Sequence, residues 1–477
     1  MRKLLILTYL LTVCTTFVAA QQPAAKTPLD NEIRAVWLTT IGGIDWPRTY
    51  ATSPASVERQ KKELTDMLDR LQRVRINTIL LQTRVRGTVI YPSELEPWDG
   101  CMSGKPGQSP GYDPLRFAIE ECHKRGMELH AWVVTLPLGK WNGLGCKTMR
   151  QKYPSLVRKI SDDGFLNPEM PKTGDIVASI CREIASKYDV DGIHLDYIRY
   201  PDGWKIKVDR NTGRRYITDI VRKVNSEVKA IRGNIKISCS PVGKYSDLSR
   251  YSSKGWNAYA GVCQDAQGWL RSGLMDQLYP MMYFRGNQFY PFAIDWAENR
   301  YGKDVAAGLG IYFLDPHEGN WNIDEVKRQL AVIRQQGLGQ CFFRAKFLLD
   351  NVQGIYDYLR IWNNQDLLSE RIGGLPQEHA QNQERTSAGT FTPTKSASAP
   401  KFLQNDGRHM QLPPKGQTLD AKMLIVKSLT GTAITTLPYQ GQQADISRIP
   451  CGTYEVRSLN RKGITHRLGF VEIRRDK

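Results

Sequence analysis

The run Val190-Asp-Gly-Ile-His-Leu-Asp196 reads as a strand that ends on a carboxylate and continues into Tyr197-Ile-Arg-Tyr-Pro201. Side chains alternate along a strand, so His194 and Asp196 share a face, with Asp196 nearer the end. A carboxylate placed there can serve glycosidic-bond hydrolysis as nucleophile, base or electrostatic stabiliser. Arg199 close by favours its ionised form. The same carboxylate can instead cap the following loop by accepting backbone N–H bonds. His194, one pleat deeper, reads more readily as a hydrogen-bonded core histidine.

Hydrolysis of this kind usually takes two acids. Glu96, in Glu96-Pro-Trp98, lies in a polar segment with Tyr91 and Trp98, aromatic rings of the sort on which sugars stack. Asp265 precedes a helical segment and is either a second acid or that helix's N-cap. Asp276 begins a strand, would face the opposite end, and is excluded. Other strand ends add Gln82 and Arg84, His130 and Trp132, Tyr283 and Tyr312, which together would line one mouth with donors and rings. HExxH and Walker patterns are absent, and the seven histidines lack metal-ligand spacing. Neither a metal nor another cofactor is expected.

Such groups need a scaffold that brings strand ends together. Strand patterns recur at 33–39, 76–82, 127–134, 190–196, 235–240, 276–283, 305–311 and 339–344, with helical patterns between them and a last one at 352–362. The first helix opens at Ser53-Pro54, and its Leu64, Met67, Leu68 and Leu71 recur at i, i+3, i+4, i+7. Eight βα units in a row predict an α/β fold, a closed (β/α)8 TIM barrel. An open doubly wound sheet is the alternative, but residues 40–46 lack the GxGxxG turn. Residues 84–112 and 135–170 are long for βα connections and leave the strands at the face where barrel sites form.

The chain has 477 residues, 41% hydrophobic and 24% charged, which excludes collagen-like, wholly disordered and mini-protein classes. Lys and Arg (66) exceed Asp and Glu (48), a net charge of +18, but no tight basic block points to nucleic acid. Arg2 and Lys3 precede an apolar stretch at 4–18, and Ala19-Ala20 offers cleavage before Gln21. This predicts a signal peptide at 1–20 and a periplasmic or extracellular protein. No second run of ~20 apolar residues is present, so no stable membrane span is expected. Cys239 and Cys341 lie in apolar runs; Cys101 and Cys146 lie in the long loops, where export would permit a bridge that sequence cannot assign. The barrel is expected over 31–370, a polar linker over 371–415, and a small sandwich-like β domain over 416–477. That last domain is basic and is either a wall-binding module or a structural appendage.

Taken in order, Ile33-Arg-Ala-Val-Trp37, Asp45-Trp46, Tyr91-Pro-Ser93, Glu96-Pro-Trp98, Tyr112-Asp-Pro-Leu115, His130-Ala-Trp132 and Asp191-Gly-Ile-His-Leu-Asp196 resemble the glycosyl hydrolase-like 10 family, over roughly residues 31–365. The resemblance implies an exported bacterial TIM barrel, often with an added β domain. It also implies similarity to enzymes that hydrolyse peptidoglycan glycan strands already stripped of stem peptides. Arg34, Trp37, Tyr197, Arg199 and Tyr200 join the candidate substrate contacts. The implied partner is a glycan, with association to the cell wall. Two positions depart from the family pattern: Tyr197 stands where a second Asp is common, and Pro280-Met-Met-Tyr283 stands for Pro-Gln-x-Tyr. A hydrolase of an environmental polysaccharide and a non-catalytic glycan-binding barrel are the alternatives.

Overall fold

The computed structural model describes residues 32–364 and, beyond them, 403–406, 408–413, 421–428, 433–439, 442–449, 452–460 and 465–473. The expected signal peptide and most of the expected linker lie outside the described residues.

Eight parallel strands close into a barrel: β1 (Arg34–Leu38), β2 (Thr78–Arg84), β3 (Glu128–Val134), β4 (Gly192–Asp196), β5 (Lys236–Cys239), β6 (Gln277–Leu278), β7 (Asp304–Leu309) and β8 (Gly339–Phe342). β1 pairs with both β2 and β8, which closes the ring. Outer helices follow the strands in turn: α1 (Pro54–Arg73), α2 (Pro114–His123), α3 (Pro171–Lys187), α4 (Arg210–Ile231), α5 (Ala266–Arg271), α6 (Tyr290–Glu298), α7 (Ile323–Gln335) and α8 (Ile355–Trp362). α1 shows why. Ser53 and Ser56 form a capping box, Pro54 occupies the first turn, and Leu64, Leu68 and Leu71 are buried against the barrel.

Large rings fill the barrel interior, and glycines make room for them. A Cβ at Gly192 would lie 2.5 Å from the His130 ring, and one at Gly308 would lie 2.9 Å from the Trp37 indole. The sixth strand is shorter than its sequence pattern. Pro280 has no N–H for the ladder, and isolated bridges from Met281 to Val242 and to Gly308 continue the pairing.

The segment expected as a long loop at 135–170 has structure of its own. Pro137–Lys140, Val157–Ile160 and Asp163–Leu166 form a three-stranded antiparallel sheet, with a helix at Leu144–Lys152. Its Leu138, Cys146, Met149 and Leu166 are buried and continuous with the apolar core between barrel and helices. Four-residue strands are too short for alternation to reveal. Cys101 and Cys146 are free and buried.

Towards the C-terminus, strands Ala433–Pro438, Ala421–Ser428, Gly452–Asn460 and Thr465–Ile473 form an antiparallel sheet in that order, beside a two-stranded pair. One face buries Leu424, Val426, Val456 and Val471. From the other, Met423, Ile425 and Leu459 pack against Tyr290 of α6 and Ala331 of α7. Among the described residues no helix is long and apolar enough to cross a membrane.

Candidate active site

Asp196 ends β4 at the C-terminal mouth of the barrel, 7% exposed. Three donors hold it. Trp132 Nε1 reaches Oδ2 at 3.1 Å, and the Ser240 hydroxyl and the Tyr197 N–H reach Oδ1 at 2.7 and 2.8 Å. The Tyr197 bond requires a sharp turn, and Tyr197 takes it in the left-handed region at φ 54°, which costs a non-glycine residue about 1–2 kcal/mol. Burial pushes the Asp196 carboxyl above its ordinary value, while the three hydrogen bonds and the charge of Arg199 pull the other way. Arg199 pairs with Asp202 through both terminal nitrogens and stacks over the rings of Tyr197 and Trp256 at 4.7 and 5.5 Å.

Below Asp196 the barrel is closed by a fixed polar floor. Trp37 Nε1 donates to His194 Nε2 at 3.2 Å, so His194 carries its proton on Nδ1 and gives it to Ser238 Oγ at 3.0 Å. Burial drives the His194 pKa well below its ordinary value, and the ring is a neutral structural element. To one side rises an aromatic wall. Tyr283, Tyr312 and Phe343 meet with ring centroids 5.4 to 5.8 Å apart, and Trp37 packs edge-on beneath Phe343 at 5.9 Å. Tyr197, Tyr283, Tyr312 and Phe343 are half-buried and so keep accessible ring surface at the mouth.

The remaining predicted residues are dispersed. Arg84 and Glu96 form a buried two-point ion pair, which leaves no Glu96 oxygen open to a ligand. Tyr91 is buried, and its hydroxyl donates to Glu183 of α3. Gln82 accepts from the Thr40 and Ile41 N–H groups and so shapes the loop after β1. Tyr200 is buried and donates to Glu169. Trp98 is half-buried in the loop after β2. Asp265 is the N-cap of α5, accepts from Gly268 N–H, and receives the Tyr245 hydroxyl at 2.6 Å. Arg34 lies at the opposite end of the barrel, on the Arg75 and Glu32 carbonyls. His130 sits low in the barrel with Glu128. The structure therefore gathers Asp196, Trp132, Tyr197, Arg199, Tyr283 and Tyr312 at one mouth, with Trp37 and His194 as its floor. Among the described residues no cluster of three or more His, Cys, Asp or Glu side chains could hold a metal.

The model of the glycosyl hydrolase-like 10 family matches residues 32–204 and 207–312, more than half of the chain. The chain belongs to that family. The glycosyl hydrolase DigH of Escherichia coli strain K12 is 31% identical over 362 residues, covering 65% of this chain and 82% of that protein. The glycosyl hydrolase YngK of Bacillus subtilis strain 168 is 28% identical over 389 residues, covering 72% and 74% respectively. Among solved structures, the PgaB (BpsB) glycoside hydrolase domain of Bordetella bronchiseptica overlaps 69% of this chain and 98% of its own, with a TM-score of 0.48 and 13% identity. Family and named relatives bear out the expected class, a glycoside hydrolase.

Two further residues at this mouth, Ser240 and Phe343, give only a weak signal in the sequence. Ser240 lies two residues past Ser238 on the same face, where a hydroxyl gives a weaker signal than a carboxylate. Its position one pleat beyond β5 was the usable signal. Phe343 sits in the apolar run Gln-Cys-Phe-Phe, where nothing in the pattern separates the core Phe342 from the mouth residue next to it.

Proposed function

We propose that the chain is an exported glycosidase that cleaves amino-sugar glycans, with peptidoglycan glycan strands as substrate. The observation that carries the reading is Asp196. A carboxylate ends a barrel strand, is oriented by Trp132, Ser240 and the Tyr197 N–H, and stands beside a half-open wall of rings. A fixed negative charge there stabilises an oxocarbenium-like centre or attacks it, and the wall supplies apolar faces for sugar rings. With Glu96 and Asp265 engaged elsewhere, the candidate for the second acid is Glu318 in the loop after β7. Glu318 is exposed there, and its charge helps raise the Tyr312 pKa to about 12, after burial. The basic start, the apolar stretch and the small residues before Gln21 support export.

The test is product analysis. Intact and amidase-stripped peptidoglycan are incubated with the wild-type chain, and released fragments are identified by mass spectrometry. Sugar fragments from the stripped glycan, with a new reducing end, support the reading. No cleavage of either, alongside cleavage of an unrelated polysaccharide, moves the substrate elsewhere.

A further inference from the structure

The three-stranded insertion after β3 and the loop after β4 meet on the Asp196 face and enclose a pocket of about 320 Å³. Arg158 and Lys159 come from the insertion, Lys205 and Lys207 from the loop, with Trp204 and Glu169 completing the wall. Trp204 follows Asp196 in the same loop, is half-buried, and packs edge-on against Tyr200 at 6.0 Å. Glu169, the one carboxylate of the lining, accepts the Tyr200 hydroxyl at 3.3 Å.

Four cations and one carboxylate thus line one concavity. Among the described residues none of the four forms an ion pair. Lys159 has only the Trp141 ring, 5.8 Å from its Nζ. Elsewhere on the surface the pattern differs. Lys62 pairs with Asp66, Lys124 with Glu121, and Arg328 with Glu325, each within one helical turn. Unneutralised like charges around a concavity raise its potential and favour an anion in it. An indole in the same wall favours a ring.

We propose that this pocket is a subsite for a sugar that carries a carboxylate, so that the chain lying along the Asp196 cleft is an anionic glycan. The inference rests on the glycosidase reading and adds the place where a carboxylate of the substrate is held. A lactyl-bearing amino sugar and a uronic acid share the chemistry, and the experiment separates them.

Binding to the full chain is measured on ice by titration calorimetry with three tetrasaccharides. These are peptide-free peptidoglycan glycan, neutral chitotetraose, and a uronic-acid-containing glycosaminoglycan fragment. The wild type should bind at least one acidic chain ~10-fold more tightly than chitotetraose at low salt, in line with one or two charge-assisted bonds. High salt should shrink that gap. Lys205→Gln/Lys207→Gln and Arg158→Gln/Lys159→Gln should each shrink it too, and because all four side chains are exposed, both variants should fold. The acidic chain preferred by the wild type names the sugar. Equal or tighter binding of chitotetraose by the wild type, or a preference kept in both double variants, overturns the subsite. Hydrolysis of the three chains by the wild type, assayed separately, tests the glycosidase reading, so either can fail without the other.

Discussion

Arg84 meets Glu96 fork to fork, Nε to Oε2 at 2.7 Å and Nη2 to Oε1 at 2.6 Å, with both side chains sealed from solvent. Arg84 also donates to the carbonyls of Val134 and Thr135, so the pair ties the loop after β2 to the end of β3. Glu96→Gln would leave a buried guanidinium uncompensated, at a cost of about 3–5 kcal/mol. Differential scanning calorimetry should show melting lowered by roughly 10 °C, at about 2–4 °C per kcal/mol for a domain of this size. A variant that melts like the wild type yet has lost all turnover would return Glu96 to the catalytic candidates.

Asp196→Asn keeps shape and most of the hydrogen bonding. The amide oxygen can still accept from Ser240 and Tyr197, while the amide nitrogen would face the Trp132 N–H donor. The expected outcome is a folded protein with glycan binding largely kept and turnover down by ~10²-fold or more, as for loss of a positioned catalytic group. Initial rates on a glycan the wild type cleaves provide the measurement, with circular dichroism as the check on folding. Near-wild-type rates would remove Asp196 from the chemistry.

The pH profile carries a sign. Burial raises the Asp196 pKa above 3.8, and the Ser240 hydroxyl is foremost among the groups that oppose the rise. If the ionised form is active, activity is lost as pH falls through the raised value, so the acid limb of kcat/KM lies above pH 3.8. Ser240→Ala removes a donor to the carboxylate and should move that limb to higher pH. A limb that moves to lower pH, or stays put, would contradict the assignment. Stability runs the opposite way. A raised folded-state pKa gives a contribution complete below the unfolded value and lost as pH rises through the folded one. Asp196→Asn should therefore compare better with the wild type at neutral than at acid pH in denaturant titrations.

The barrel was legible because its signals are local. Alternation over β4, the Ser53 cap and the spacing of Leu64, Leu68 and Leu71 each lie within a few residues. Asp196 was legible for the same reason, as the polar end of an apolar strand. Tyr91 and Glu96 misled because burial of a loop residue depends on distant partners. Tyr91 is covered by α3 and bonded to Glu183, 92 positions away. The pairing between β2 and β3 shifts register between Gln82 and Arg84, so simple alternation could not show that Gln82 turns to the loop after β1 while Arg84 turns to Glu96. Arg34 went astray for another reason. It begins β1, and a strand's first residue faces the end of the barrel away from the chemistry.

The C-terminal sheet gives the last expectation. The polar stretch at 371–415 predicts a barrel that folds without the C-terminal β domain. Met423, Ile425 and Leu459 nevertheless lie against Tyr290 and Ala331, and Arg448 donates to the Tyr251 carbonyl at 3.1 Å. Neither Tyr290 nor Ala331 belongs to a barrel strand, and α6 has its own buried face in Phe292, Ile294 and Trp296. A chain ending near Glu370 should therefore keep the barrel and its cooperative melting. Re-exposing the covered apolar surface should cost it on the order of 2–3 kcal/mol, the worth of about one large buried side chain. That corresponds to a fall in Tm of roughly 4–12 °C. Thermal melts of the full and shortened chains, followed by near- and far-ultraviolet circular dichroism, decide the matter. Loss of the near-ultraviolet signal in the shortened chain would show that the sheet completes the barrel's fold; identical melting would show that the contact contributes nothing to stability.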